Sequence, residues 1–162
     1  MKDPQHGRIA YSVGRLDRVL RRRMGKVTTR HGLTVAQYTA LSVLDARGPL
    51  SNAQLARRSL VSPQAMNEII EAMAAKRLVL RRPDPLHGRI VQIALTAKGA
   101  TVLAKCDEAV QRLEGHMLAA LSEAQRRQFQ VLLRGCIVAL EASAHRAFDP
   151  AGAQGGRALH RQ

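Results

Sequence analysis

Apolar residues recur along this chain at two different spacings, and the switch between them marks out the elements. From about residue 7 to residue 30, Ile9, Val13, Leu16, Leu20, Met24 and Val27 hold one stripe at the helical period of about 3.6 residues. Thr34-Val35-Ala36-Gln37 forms a capping box, in which the Thr hydroxyl and the Gln side chain each satisfy a backbone N–H of the first turn. It predicts a second helix that carries Tyr38, Leu41, Val43 and Leu44 into the core and runs to about Arg47, where Gly48-Pro49-Leu50 breaks it. Ser51-Asn52-Ala53-Gln54 repeats the capping box and opens a short helix ending near Arg58. Ser59-Leu60-Val61 reads as a turn into a fourth helix. That helix has a well-specified start, with Ser62 at the N-cap and Pro63 at the first helical position, where a missing N–H costs nothing. Met66, Ile69, Ile70 and Met73 form its apolar stripe.

The pattern then becomes that of strands. Leu78-Val79-Leu80 and Ile90-Val91-Gln92-Ile93-Ala94-Leu95 predict a pair of strands, the second rich in β-branched residues. Residues 81–89, with two prolines and a glycine, predict the hairpin tip between them. Thr96 is placed to cap a long helix to about Leu121, with Leu103, Cys106, Val110, Leu113 and Met117 along one side. Ser122-Glu123-Ala124-Gln125 is a third capping box, opening a last helix with Phe129, Leu132, Leu133, Cys136, Ile137 and Leu140 directed inward. From about residue 149 no stripe remains, and the tail reads as flexible. The fold expected is mainly α: a winged helix-turn-helix with a two-stranded β wing, flanked by N- and C-terminal helices.

The fourth helix carries the chemistry. Its apolar stripe leaves Gln64, Asn67, Glu68 and Glu71 on another face. Gln and Asn amides donate and accept at once, which is what the major-groove edge of adenine requires. Arg81, Arg82 and Arg89 set positive charge at or near the hairpin tip, where it suits phosphate or minor-groove contact.

Net charge changes the picture further. The chain carries +14, and each phosphate that such a surface neutralises releases a condensed counterion. The excess is uneven: nine Lys/Arg against two acids in residues 1–30 and eight against three in residues 47–91, but seven against five in residues 97–146. Basic residues therefore concentrate on the first helix and on the winged unit. Apolar residues make up 46% and charged ones 23%, as in globular chains rather than disordered ones. With no Trp, two Tyr and two Phe, the core must be aliphatic. No apolar run is long enough to cross a membrane and no signal-peptide core opens the chain, so a cytoplasmic location with no membrane partner is expected.

The stretches SNAQLARRSLVSPQAMNEII and LVLRRPDPLHGR, with the corner Leu95-Thr96-Ala97-Lys98-Gly99, resemble the MarR family of bacterial transcriptional regulators. The likeness extends in pattern from about Ile9 to about Ala147. It implies a homodimer paired through the first and last helices, bound to palindromic double-stranded DNA, most simply as a repressor. By that resemblance residues 1–32 form an N-terminal dimerisation helix, 33–96 the DNA-binding region, 97–147 a C-terminal helical hairpin for dimerisation and 148–162 a tail. Ser62, Gln64 and Asn67 would read bases. Arg89, helped by His87, would enter the minor groove, and Asn52, Arg57, Arg58 and Arg82 would meet phosphates. A pocket lined by the first, second and fifth helices would take a small effector, with Tyr11, Arg15, Tyr38 and Ser42 as its candidates here. An arginine facing an apolar pocket favours an anionic ligand, aromatic or otherwise amphipathic, that lowers DNA affinity. Two residues depart from the family pattern. His87 stands where an acidic residue often braces the wing arginine. Arg77 stands where a glycine often ends the reading helix, which leaves that end without its usual left-handed cap.

Other chemistry is thinly represented. Cys106 and Cys136 fall on apolar stripes, where free cysteine behaves as a small hydrophobe. The six histidines make no His-x3-His pair and no Cys-His cluster, so no metal or other cofactor is expected. There is no phosphate-binding glycine loop, no Gly-x-Ser-x-Gly and no recognisable triad, which argues against an enzyme. The rival to a sequence-specific regulator is a sequence-indifferent architectural DNA-binding protein. A protein-interaction module is disfavoured, because hot spots prefer Trp and Tyr anchors.

Overall fold

A computed structural model describes residues 8–84, 88 and 90–147. His87 and Arg89, the expected tip contacts, lie outside the described residues, as does the tail from 148. The chain forms two units, one ending at His116 and the other beginning at Met117. The first therefore includes the helix that the sequence pattern had grouped with the last one.

In the first unit, α1 (Ile9–Arg30) is followed by α2 (Val35–Arg47), β1 (Leu50–Ser51), α3 (Asn52–Arg58) and α4 (Pro63–Ala75). Then come β2 (Val79–Pro83), β3 (Val91–Leu95) and α5 (Ala97–Met117), which ends four residues before the expected Leu121. The capping boxes at Thr34 and Ser51 form with both reciprocal bonds, and Ser62 Oγ accepts from the backbone N–H of Ala65. The wing is part of a three-stranded antiparallel sheet in the order β1-β3-β2. The sequence pattern misses β1, because its two residues sit between a Gly-Pro break and the N-cap of α3. Leu50 pairs with Ile93, which anchors the wing's inner strand beneath α3. β2 also runs further than expected, pairing Arg81 with Ile93, Arg82 with Gln92 and Pro83 with Val91. Arg81 and Arg82 thus stand on a strand rather than at the tip.

The core is aliphatic, as the composition requires. Leu41 and Leu44 from α2, Leu55 from α3, Met66, Ile70 and Met73 from α4, and Leu103, Cys106 and Val110 from α5 meet in one buried cluster. Three of the four apolar positions in the α4 stripe are therefore committed inward, which fixes the helix's rotation and turns its polar face out. Burial of this kind is worth about 1.5–3 kcal/mol for each large aliphatic side chain.

The end of α4 corrects one expectation. Arg77 itself takes the left-handed conformation, φ +59°. Its N–H donates to Ala74 O at 2.8 Å and that of Leu78 donates to Met73 O at 2.9 Å, the paired bonds of a Schellman turn. Leu60 does the same after α3, with φ +57° and Val61 N–H donating to Ala56 O at 3.1 Å. The turn geometry is imposed by the buried residue that follows, Leu78 in the first case, even though the sequence supplies no glycine.

Lysines tie the end of α4 to its neighbours. Lys76 Nζ donates to Gly32 O at 2.7 Å and to Gln37 Oε1 at 3.0 Å, so the α2 capping box also holds the end of α4. Lys98 Nζ donates back to Lys76 O at 2.8 Å.

The α1 stripe behaves differently along its length. Met24 and Val27 pack on the core, whereas Ile9, Val13 and Leu16 are exposed within the chain. In the second unit, α6 (Glu123–Ala147) starts from the expected capping box at Ser122. Leu132, Leu133, Ile137 and Leu140 are exposed there, and so is Cys136, contrary to its expected core position.

Candidate nucleic-acid interface and effector groove

Ser62, Gln64, Asn67 and Glu68 are all exposed at the start of α4, while Met66 between them is fully buried. The structure brings Ser62, Gln64 and Asn67 onto one outward turn, as the spacing requires. Asn52 is placed differently from the other phosphate candidates. Its Nδ2 donates to Pro63 O at 3.1 Å, which clips the start of α3 to the start of α4, and its Oδ1 is buried. Arg57 and Arg58 end α3 with their side chains exposed, and Arg82 is exposed on β2. At the base of the wing tip, Asp84 N–H donates to Ile90 O at 2.7 Å and Asp84 Oδ2 accepts from Gln92 Nε2 at 2.7 Å. A carboxylate therefore braces the hairpin, from the other side of the tip than the family pattern would put it.

A groove of about 550 Å³ lies between α2 and α3. Tyr38, Ser42 and Val43 line it on one side; Arg57, Arg58 and Leu60 line it on the other, with Arg47 at the end of α2. Of the four expected effector residues, Tyr38 and Ser42 meet here. Tyr11 and Arg15 are not among the lining residues; they stack on each other along α1, the guanidinium carbon 6.0 Å from the ring centroid. Such cation–π contacts are worth roughly 0.5–1 kcal/mol when exposed.

No pattern along the chain points to Asp107, which is 69 positions from its partner: Tyr38 Oη donates to Asp107 Oδ1 at 2.7 Å. Asp107 Oδ2 in turn accepts from Gln111 Nε2 at 2.9 Å. Burial of the phenol, then this carboxylate, push the Tyr38 pKa well above the ordinary tyrosine range, so it keeps its proton. Burial, then the same carboxylate, also raise the Cys106 thiol, which is thereby held neutral and poorly nucleophilic. Among the described residues no group of three or more His, Cys, Asp or Glu side chains converges as a metal site would need. No described helix is long and apolar enough to cross a membrane.

The capped helix pair, the left-handed turn at Leu60 and the braced β2–β3 ribbon define a winged helix-turn-helix protein. A model of the MarR family matches residues 31–90. The HTH-type transcriptional repressor Rv2887 of Mycobacterium tuberculosis is 30% identical over 125 residues, spanning 77% of this chain and 90% of that protein. The chain belongs to the MarR family of transcriptional regulators. A structure of Rv2887 in complex with salicylic acid superposes with a TM-score of 0.65 at 29% identity, covering 80% of this chain and 96% of that one. The transcriptional repressor CouR bound to a 23-mer DNA duplex superposes with a TM-score of 0.73 at 21% identity, covering 80% and 92%, which is a likeness of fold.

Proposed function

We propose that this chain is a homodimeric repressor that reads a palindromic operator through α4 and leaves it when a small amphipathic anion fills the groove between α2 and α3. The observation that carries the reading is the start of α4. Ser62, Gln64 and Asn67 stand exposed on a turn whose rotation is fixed by the buried Met66, Ile70 and Met73. Pairing through the apolar residues of α1 and α6 that a single chain leaves exposed sets two such helices on one duplex, with half-sites ~34 Å apart or a multiple of it. Arg82 and the arginines of α3 contact phosphates, and the wing arginine Arg89, with His87, enters the minor groove. The groove joins α2 to the arginines of α3 and to Leu60, two residues before the N-cap of α4. A ligand there bears directly on the reading helix and on its phosphate contacts. The salicylic acid complex of Rv2887 supports an anionic effector.

Fluorescence anisotropy with DNA from upstream of the chain's own gene, beside a scrambled duplex and across a salt series, tests the reading. A specific regulator binds the upstream DNA far more tightly at physiological salt. Equal binding to both duplexes that collapses as salt rises would replace it with a sequence-indifferent architectural role.

A further inference from the structure

We propose that the groove selects anions bearing a hydrogen-bond donor, and that Tyr38, with its proton committed to Asp107, is the residue that imposes the choice. The inference rests on the effector reading above and deepens it. A phenol has one proton to give and two lone pairs. Tyr38 gives its proton to a carboxylate at 2.7 Å, and Asp107 is itself held by Gln111 on its other oxygen. Bonds to an ionised acceptor are about twice as strong as neutral ones, so a neutral ligand acceptor does not win that proton away. Towards a ligand Tyr38 therefore offers lone pairs only. Ser42, on the same wall, gives its proton to Tyr38 O at 2.9 Å and is biased the same way.

The opposite wall has the reverse character. Arg57 and Arg58 there, joined by Arg47 at the end of α2, carry donors without acceptors, and none of the three side chains makes a hydrogen bond or ion pair among the described residues. Val43, Ala46 and Leu60 supply apolar surface between the polar groups. The groove is thus polarised, with cationic donors on one side and acceptors on the other. Its ligand carries an anion at one end, an apolar body, and a hydroxyl or amine to donate to Tyr38. Asp107 does not line the groove and acts through Tyr38, as a positioning residue.

The test uses the full-length protein and calorimetric titration with benzoate, the three hydroxybenzoate isomers and the methyl ether of each. Where the hydroxyl reaches Tyr38, the free phenol binds roughly two- to tenfold more tightly than its ether, the worth of one hydrogen bond. In Asp107→Asn the amide can donate to Tyr38 and release its proton towards the groove, so that ratio collapses to about one or inverts. A bulky ether excluded only by size would keep the wild-type ratio in Asp107→Asn, and that result overturns the proposal. Equal binding of every phenol and its ether to the wild-type protein also overturns it, and needs no variant to fold. If every probe binds equally while displacing DNA, the effector reading stands and only the selection falls. If none of the probes binds, both fall together.

Discussion

Gly99→Ala separates what packing demands of α5 from what helix propensity prefers. By propensity alone, alanine inside a helix stabilises by about 1 kcal/mol relative to glycine. The structure predicts the opposite sign. A Cβ on Gly99 would fall on the backbone carbonyl oxygen of Leu78, with Leu95 Cδ1 only 2.9 Å away. That oxygen cannot step aside. It accepts from Thr96 N at 3.1 Å and from Thr96 Oγ1 at 3.0 Å, and Thr96 Oγ1 accepts from Gly99 N at 2.9 Å. To admit a methyl group, the first turn of α5 must back away from the start of β2. Overpacking of this kind costs typically 1–3 kcal/mol, and each hydrogen bond stretched costs about 1 kcal/mol more. Offset by the propensity gain, the net loss is about 2–4 kcal/mol, a large part of the ~5–15 kcal/mol of a typical domain.

Urea unfolding at fixed protein concentration measures it, because subunit pairing would otherwise enter the midpoint. Gly115→Ala, in the same helix with nothing within 4 Å of the new methyl, is the control and should gain up to about 1 kcal/mol. Opposite signs for the two substitutions support the contact. A Gly99→Ala protein as stable as the wild type would refute it, and with it the account of why a Thr-x-x-Gly corner joins wing to helix.

Three further outcomes are expected. Arg77→Gly relieves the left-handed strain at the end of α4 and stabilises the fold by ~0.5–1 kcal/mol after the entropic cost of glycine, read as a raised urea midpoint; Arg77→Val, β-branched at the same φ, lowers it. Because the folded pKa of Tyr38 lies above its unfolded value of 10.0, its contribution to stability is whole below that pH. The contribution falls as pH rises past that value, and the stability of Tyr38→Phe should decline less steeply there, in melts across the alkaline range. In DNA binding, Gln64→Ala narrows the gap between operator and scrambled duplex by ~1–3 kcal/mol, whereas Arg82→Ala weakens both alike and lowers the salt slope by about one unit. The reverse assignment in anisotropy titrations would exchange their roles.

What could be read from the chain alone follows from the range of the interactions involved. Helix starts are local, and all three capping boxes, at Thr34, Ser51 and Ser122, form where their spacing puts them. The orientation of α4 was also legible, since Ser62-Pro63 and the Met66-Ile70-Met73 stripe need no partner to be identified. Helix ends were harder. Arg77 and Leu60 adopt a conformation their side chains disfavour because Leu78 and Val61 must pack immediately afterwards, and that demand is tertiary. β1 escaped notice because a two-residue strand has no period to detect.

The groove shows the limit most clearly. Tyr38 and Ser42 share one helix face, so their association was legible, but the arginines opposite them come from α3 and the carboxylate beneath comes from α5. Asp107 has an unremarkable place on α5, one residue beyond the buried Cys106. Only the packing of α5 against α2 turns it into the acceptor that fixes the proton of Tyr38. On the proposed reading, a substitution at Asp107 that looks conservative in sequence changes which ligands the groove accepts. The same reasoning applies to Lys76, whose contacts to Gly32 and Gln37 make the end of α4 sensitive to the start of α2. On that reading, specificity resides less in the residues that line a surface than in the partners that decide which of their atoms are free.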